Sequence, residues 1–257
     1  MGHERVGFLP RTQRWRDIVA GIGGETFDVG DVVRQTLDNV RDRLEQIQND
    51  ESVVAAFKFL VCLPVAARAI SPVDMLREHG IEVPADPSPI ALAQALQRFM
   101  PERPDSLEYA RIAQNAVVDS IAEWAGRVER PEDNLFGVSG QPFDVWRQAA
   151  DGAGFCELSR IFFGKFTERY LNYFLEREAS AVLPSIERRE RFADELSRHV
   201  DAVSRHAFET AKITQSFAAG WFNKHAKAGV PSDASIQGFL RLAVSKLGEE
   251  LTREGPL

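Results

Sequence analysis

Cysteine, methionine and tyrosine are scarce in this 257-residue chain, with 2, 3 and 3 copies. Two cysteines cannot build a disulfide framework. Cys62 in FLVCLPV and Cys156 in GFCELS each sit among apolar neighbours, where a free thiol behaves as a small core hydrophobe and not as an activated nucleophile. A reducing, cytoplasmic setting is expected. Lysine is also rare, 6 against 25 arginines of 31 basic residues, a bias in keeping with a GC-rich bacterial genome. The formal net charge of -7 argues against affinity for a phosphate backbone through a wide basic surface, so nucleic acid is not the expected partner. Residues 1–16 run against that balance, with Arg5, Arg11, Arg14 and Arg16 facing Glu4 alone, 4 − 1 = +3. That segment lacks the apolar core of a secretory signal, and Val6 stands where myristoylation wants Ser or Thr.

Catalytic and metal signatures are also missing from the sequence. It has no HExxH, no CxxC pair, no GxxxxGK[ST], no GxSxG and no paired ExxH. AGIGGETF around Gly21–Gly24 looks like a phosphate loop but has neither a preceding strand nor a following Lys-Ser or Lys-Thr. A turn between helices explains it better.

What the chain does have is 44% hydrophobic content, enough to bury a sizeable core. The longest apolar run, Val53–Ile70, is broken by Lys58, Pro64 and Arg68. It reads as a buried helix capped by Ser52 and stopped or kinked at Pro64, not as a membrane attachment. Further starts follow helical signals. Asp31 opens a helix carrying Val33, Leu37, Val40, Leu44 and Ile47. Ser71-Pro72 opens one that Gly80 closes in a left-handed cap. Ser88-Pro89 opens IALAQALQRFM, and Ser106 opens a helix that turns Ile112, Val117, Ile121 and Trp124 inward. No strand pattern is convincing.

ERPEDNLFGVSGQ, residues 129–141, has no periodicity and marks a linker or loop between an N-terminal helical region, 1–128, and a C-terminal one, 142–257, unless the two form one continuous domain. A short helix is expected at Asp144–Gln148, ended by DGAG at 151–154. Phe155–Phe174 is the most aromatic segment. Phe155, Phe162, Phe166 and Tyr173 share one face, and Phe163, Tyr170 and Phe174 another. Such a helix is central core, or else a pocket or docking surface edged by Arg160, Arg169 and Arg177.

The last long element runs from Ser185 to about His225 without an internal Pro or Gly before Gly220. Leu196, Val203, Thr210 and Phe217 take one seam position of a heptad, and Val200, Ala207, Thr214 and Trp221 the other. Glu187–Arg191, Asp194–Arg198 and Asp201–Arg205 are acid-before-arginine pairs four apart, marking its wet side. Glu195, His199, His206 and Glu209 are spaced 4, 7 and 3 apart, a pattern that invites a metal reading. Glu195 and Glu209 nevertheless lie roughly 21 Å apart along the axis, too far for one site with bonds near ~2 Å. Two half-sites, each needing ligands from elsewhere, are what remains of it.

These readings converge on an all-α, irregular multi-helix bundle, with shorter helices in the N-terminal half and one long heptad-patterned helix, about 185–225, in the C-terminal half. The expected function is a non-enzymatic interaction or scaffold subunit of a bacterial cytoplasmic complex that binds a protein partner or its own copies and uses no cofactor. The surface would be formed by Leu196, Val200, Val203, Ala207, Phe217 and Trp221 with Phe162, Phe166 and Tyr173. The alternative is a helical metal- or small-ligand-binding protein, even an enzyme, using Glu195, His199, His206 and Glu209.

Overall fold

A computed structural model describes residues 17–19, 28, 30–36, 47–128, 143–183, 185–209 and 217–253; the side chains of 127–128, 176–182, 203, 206–209 and 250–253 are outside that description. The protein is all-α, built of helices of varied length packed on one another, and no strand occurs among the described residues. After helical backbone at 17–19 and 30–36 come α1 (Glu51–Ala66), α2 (Pro72–Glu78), α3 (Pro89–Phe99), α4 (Leu107–Val128) and α5 (Asp144–Arg147), then α6 (Gly152–Val182), α7 (Ile186–Glu209), α8 (Phe217–His225) and α9 (Asp233–Arg253).

Local chemistry sets most of the starts. Ser88 Oγ accepts from the Ala91 N–H at 3.2 Å and Ser106 Oγ from the Tyr109 N–H at 3.2 Å, which satisfies donors that have no partner inside the helix. Gly80 takes φ +77°. The Gly80 N–H then donates to Arg77 O at 3.0 Å and the Ile81 N–H to Leu76 O at 2.9 Å, the paired bonds of a Schellman close.

Three expected boundaries are corrected. Asp50, not Ser52, caps α1, its carboxylate accepting from the Ser52 and Val53 N–H groups at 2.9 and 3.1 Å, while Ser52 is itself buried. Asp28, not Asp31, caps the segment at 30–36, accepting from the Asp31 N–H at 3.1 Å. Pro64 does not stop α1, which continues to Ala66. Pro64 removes the donor that Leu60 O would accept without ending the helix, and the Ala67 N–H still reaches Leu63 O at 3.0 Å.

α1 is buried on nearly every side; Phe57, Phe59, Leu60, Val61, Cys62 and Leu63 are all within 1% of full burial. Its apolar content all round requires neighbours on several faces, and α2, α3, α4, α5 and α9 supply them. α6 is the second axis, packed by α4, α7 and α8. It starts at Gly152 and not at Phe155, because Asp151 caps it with a 2.7 Å bond from the Gly154 N–H. A Cβ on Gly154 would lie 1.9 Å from Gln148 O, so this turn accepts only glycine. Of the expected long helix, α7 and α8 are described; residues 210–216 between them lie outside the description.

The expected linker at 129–141 lies outside the described residues. On either side of it the apolar core is continuous, and the Trp124 indole N–H of α4 donates to Val145 O of α5 at 2.9 Å. At the centre of this core the Phe57 ring lies 5.0, 5.5 and 5.4 Å from those of Phe162, Phe163 and Phe239. No helix among the described residues is long and apolar enough to cross a membrane.

Candidate functional site

The aromatic helix is core. Phe155, Phe162, Phe163, Phe166, Tyr170 and Phe174 are buried on both of its apolar faces, and Tyr173 packs half-buried beside Phe174 at 5.2 Å. Phe162, Phe166, Leu196 and Val200 therefore fill the chain's own interior, and the partner expected on them would meet side chains already covered. The Val203 and Ala207 side chains lie outside the described residues. Of the expected docking set, Tyr173, Phe217 and Trp221 keep partial exposure.

Phe217 and Trp221 belong to an edge where α8 crosses α9. The Phe239 ring of α9 stands 4.6 Å from Trp221 and 5.6 Å from Phe217, and Phe155 stacks beneath on Phe222 at 4.3 Å. Buried Phe155 and Phe239 back the two outer rings. Leu242, one turn beyond Phe239, is 45% exposed. Lys246 Nζ lies 5.9 Å over the Phe217 ring and the His225 ring stacks 5.7 Å from Trp221, each placing a polar or charged group against an aromatic face. Nothing in the sequence links Lys246 to the seam residues, because only the α8–α9 crossing brings it over Phe217; Leu242 joins the edge through its place one turn from Phe239 on α9.

A charged cleft of about 310 Å³ lies on another flank, between α4, α6 and α7. Its floor is Arg160, whose side chain is only 3% exposed. Two guanidinium nitrogens grip Glu157 at 2.9 and 2.8 Å, and a third bonds Asp201 of α7. Asp201 also accepts from Arg205 at 3.0 Å, so the expected Asp201–Arg205 pair forms, but its acid turns toward α6 as well as water. The Ser204 hydroxyl closes the same junction, donating to Arg160 O at 3.1 Å. Across the cleft Lys165 pairs with Glu123 of α4 at 3.4 Å, and one turn further along α6, beyond the cleft, Arg169 Nε donates to Asp119 at 2.8 Å. Arg160 and Arg169 thus line a polar flank, not an aromatic pocket; the Arg177 side chain lies outside the described residues.

The electrostatics follow from this packing. Burial works against the Arg160 cation, but Glu157 and Asp201 overcome it and raise its pKa. Burial would also raise Asp201, and the Arg160 and Arg205 contacts outweigh it to hold the carboxyl below its usual range. Both groups are locked in their charged forms, which suits a helix clasp and not a proton donor or acceptor near neutral pH. Burial pushes the Cys62 thiol up to about 12, where almost no thiolate forms at neutral pH.

Of the metal pattern, the Glu195 and His199 side chains are described. The His199 ring lies against the start of the 30–36 segment, its Cε1 3.2 Å from where a Cβ on Gly30 would stand, beside Asp28. Glu195 is half-buried on α7, and the His206 and Glu209 side chains lie outside the described residues. Among the described residues no group of three or more His, Cys, Asp or Glu is placed to hold a metal ion. No protein family, curated protein or solved structure matches this chain.

Proposed function

We propose that this chain is a non-enzymatic helical interaction subunit of a bacterial cytoplasmic complex, docking a protein partner on the α8–α9 edge. The observation that carries the reading is the trio of Phe217, Trp221 and Leu242, apolar side chains that keep exposure on a two-helix edge backed by buried Phe155 and Phe239. Apolar groups held at a surface by a packed core are suited to anchor a partner. The compartment rests on the two free cysteines and the bacterial origin on the arginine-rich composition.

The experiment is crosslinking in source cells with the full chain, comparing wild type with Leu242→Glu. The substitution puts a charge on an exposed position and leaves the core intact, so the fold should be retained by circular dichroism. Loss of specific crosslinks from the α8–α9 region is the expected outcome. An unchanged crosslink pattern and unchanged solution mass by light scattering would refute the reading.

A further inference from the structure

We infer that the α8–α9 edge receives an acidic amphipathic helix, an inference that rests on the interaction reading above and gives the partner a chemistry. Phe217, Trp221 and Lys224 stand at i, i+4 and i+7 of α8 and so share one side of it. On α9, Phe239, Leu242 and Lys246 stand at i, i+3 and i+7 and likewise share one side, and the Phe239 contacts with Phe217 and Trp221 bring the two sides together. The result is an apolar strip with a cation at each end, Lys246 over Phe217 and Lys224 one turn beyond Trp221.

Cations flank this edge. In a chain of net charge -7 with only six lysines, Lys224, Lys227 and Lys246 fall here, with Arg241 exposed on the far side of α9. Among the described acids nearby, Asp233 is neutralised by Lys58 at 2.6 Å, whereas Glu249, which accepts from Ser245 Oγ at 3.2 Å, keeps its charge. A helix laying Leu-type anchors along Phe217, Trp221 and Leu242 would bring its flanking positions beside Lys224 and Lys246, where Glu or Asp is favoured and Lys or Arg repelled. Nucleic acid fits less well, because aliphatic Leu242 is no stacking platform and the net charge opposes a polyanion.

The test uses fluorescence anisotropy with the full chain and three labelled helical peptides, each of roughly 15 residues so that an isolated helix can form. All carry leucine at alternating three- and four-residue spacing, flanked by Glu, by Gln or by Lys. The Glu peptide should bind about tenfold more tightly than the Gln peptide, and the gap should close with added salt. Lys224→Gln with Lys246→Gln should erase that gap, whereas Leu242→Glu should abolish binding of the Glu and Gln peptides alike. Equal affinity for Glu and Gln peptides would overturn the acidic partner while leaving the docking edge in place. If no peptide binds and Leu242→Glu changes the solution mass, the occupant is a second copy and the acidic helix is refuted. Failure of every peptide with no effect of Leu242→Glu would refute edge and partner together. An oligo-dT strand or anionic vesicle that binds more tightly than the Glu peptide would likewise overturn the assignment.

Discussion

Arg160 should tolerate replacement better than its partners do. Its guanidinium is 3% exposed, whereas Glu157 and Asp201 are 36% and 50% exposed. Glu157→Gln combined with Asp201→Asn strands a buried cation without a counter-charge, a change that costs about 3–5 kcal/mol. Arg160→Met removes the buried charge, keeps the apolar stem and returns two already wet carboxylates to solvent. Its cost should stay within about 1–2 kcal/mol, since screened, exposed acids lose little when a partner goes. For a chain of this length the double acid variant should lose roughly 6–20 °C in melting temperature, and Arg160→Met no more than about 8 °C. Thermal and urea unfolding followed by circular dichroism at neutral pH would rank them. If Arg160→Met proved as damaging as the double variant, the reasoning from desolvation would be wrong. The Asp201 carboxyl is depressed, so its contribution is present above the unfolded pKa of about 3.9 and lost as pH falls through the folded value. The deficit of Asp201→Asn should therefore shrink as unfolding is measured at pH values below about 4.

Two glycine substitutions should have opposite signs. Gly154→Ala meets the Gln148 carbonyl at 1.9 Å and should destabilise by about 3 kcal/mol or more, whereas Gly126→Ala, with nothing within 4 Å, should stabilise α4 by about 0.5–1 kcal/mol; urea midpoints would show both. Asp50→Ala should cost about 1 kcal/mol through the lost α1 cap. Burial raises the Asp50 pKa against its two backbone hydrogen bonds, so ionisation opposes folding above the folded pKa and that penalty is absent below the unfolded one. Asp50→Asn should then match or exceed wild-type stability at neutral pH and lose any advantage in acid, as pH-dependent unfolding would reveal. Cys62, fully buried with its thiol near 12, should resist a thiol reagent at about pH 8 until the protein unfolds; rapid labelling in the native state would contradict its place in the core.

Elements whose reasons are local could be read from the sequence. Ser88-Pro89 and Ser106 cap as their residue types demand, Gly80 takes its left-handed turn, and Ile112, Val117, Ile121 and Trp124 all turn inward on α4. Choices between neighbouring caps were not legible. Asp50 and Ser52 are both good N-cap residues, and it is the Asp50 carboxylate that takes the two backbone bonds, which leaves Ser52 buried inside the first turn. The sequence pairs Asp201 with Arg205 four residues on; nothing in a helical repeat announces Arg160, 41 residues away. The α8 half of the docking edge was visible as seam residues Phe217 and Trp221. Its α9 half depends on a helix crossing that no periodicity encodes.

The nearly all-sided burial of α1 also bears on how the chain comes off the ribosome. Its Phe57 rests on Phe239, and Lys58 reaches Asp233, 175 residues further along the chain. After Ala66 is made, 167 more residues must be added before Asp233 exists (233 − 66), a delay of roughly 8–33 s at ~5–20 residues per second. Throughout that interval one of the most apolar segments of the protein lacks the helix that covers part of it. A holdase-type chaperone should therefore find α1 on nascent chains that stop short of α9 and release it once α9 has docked.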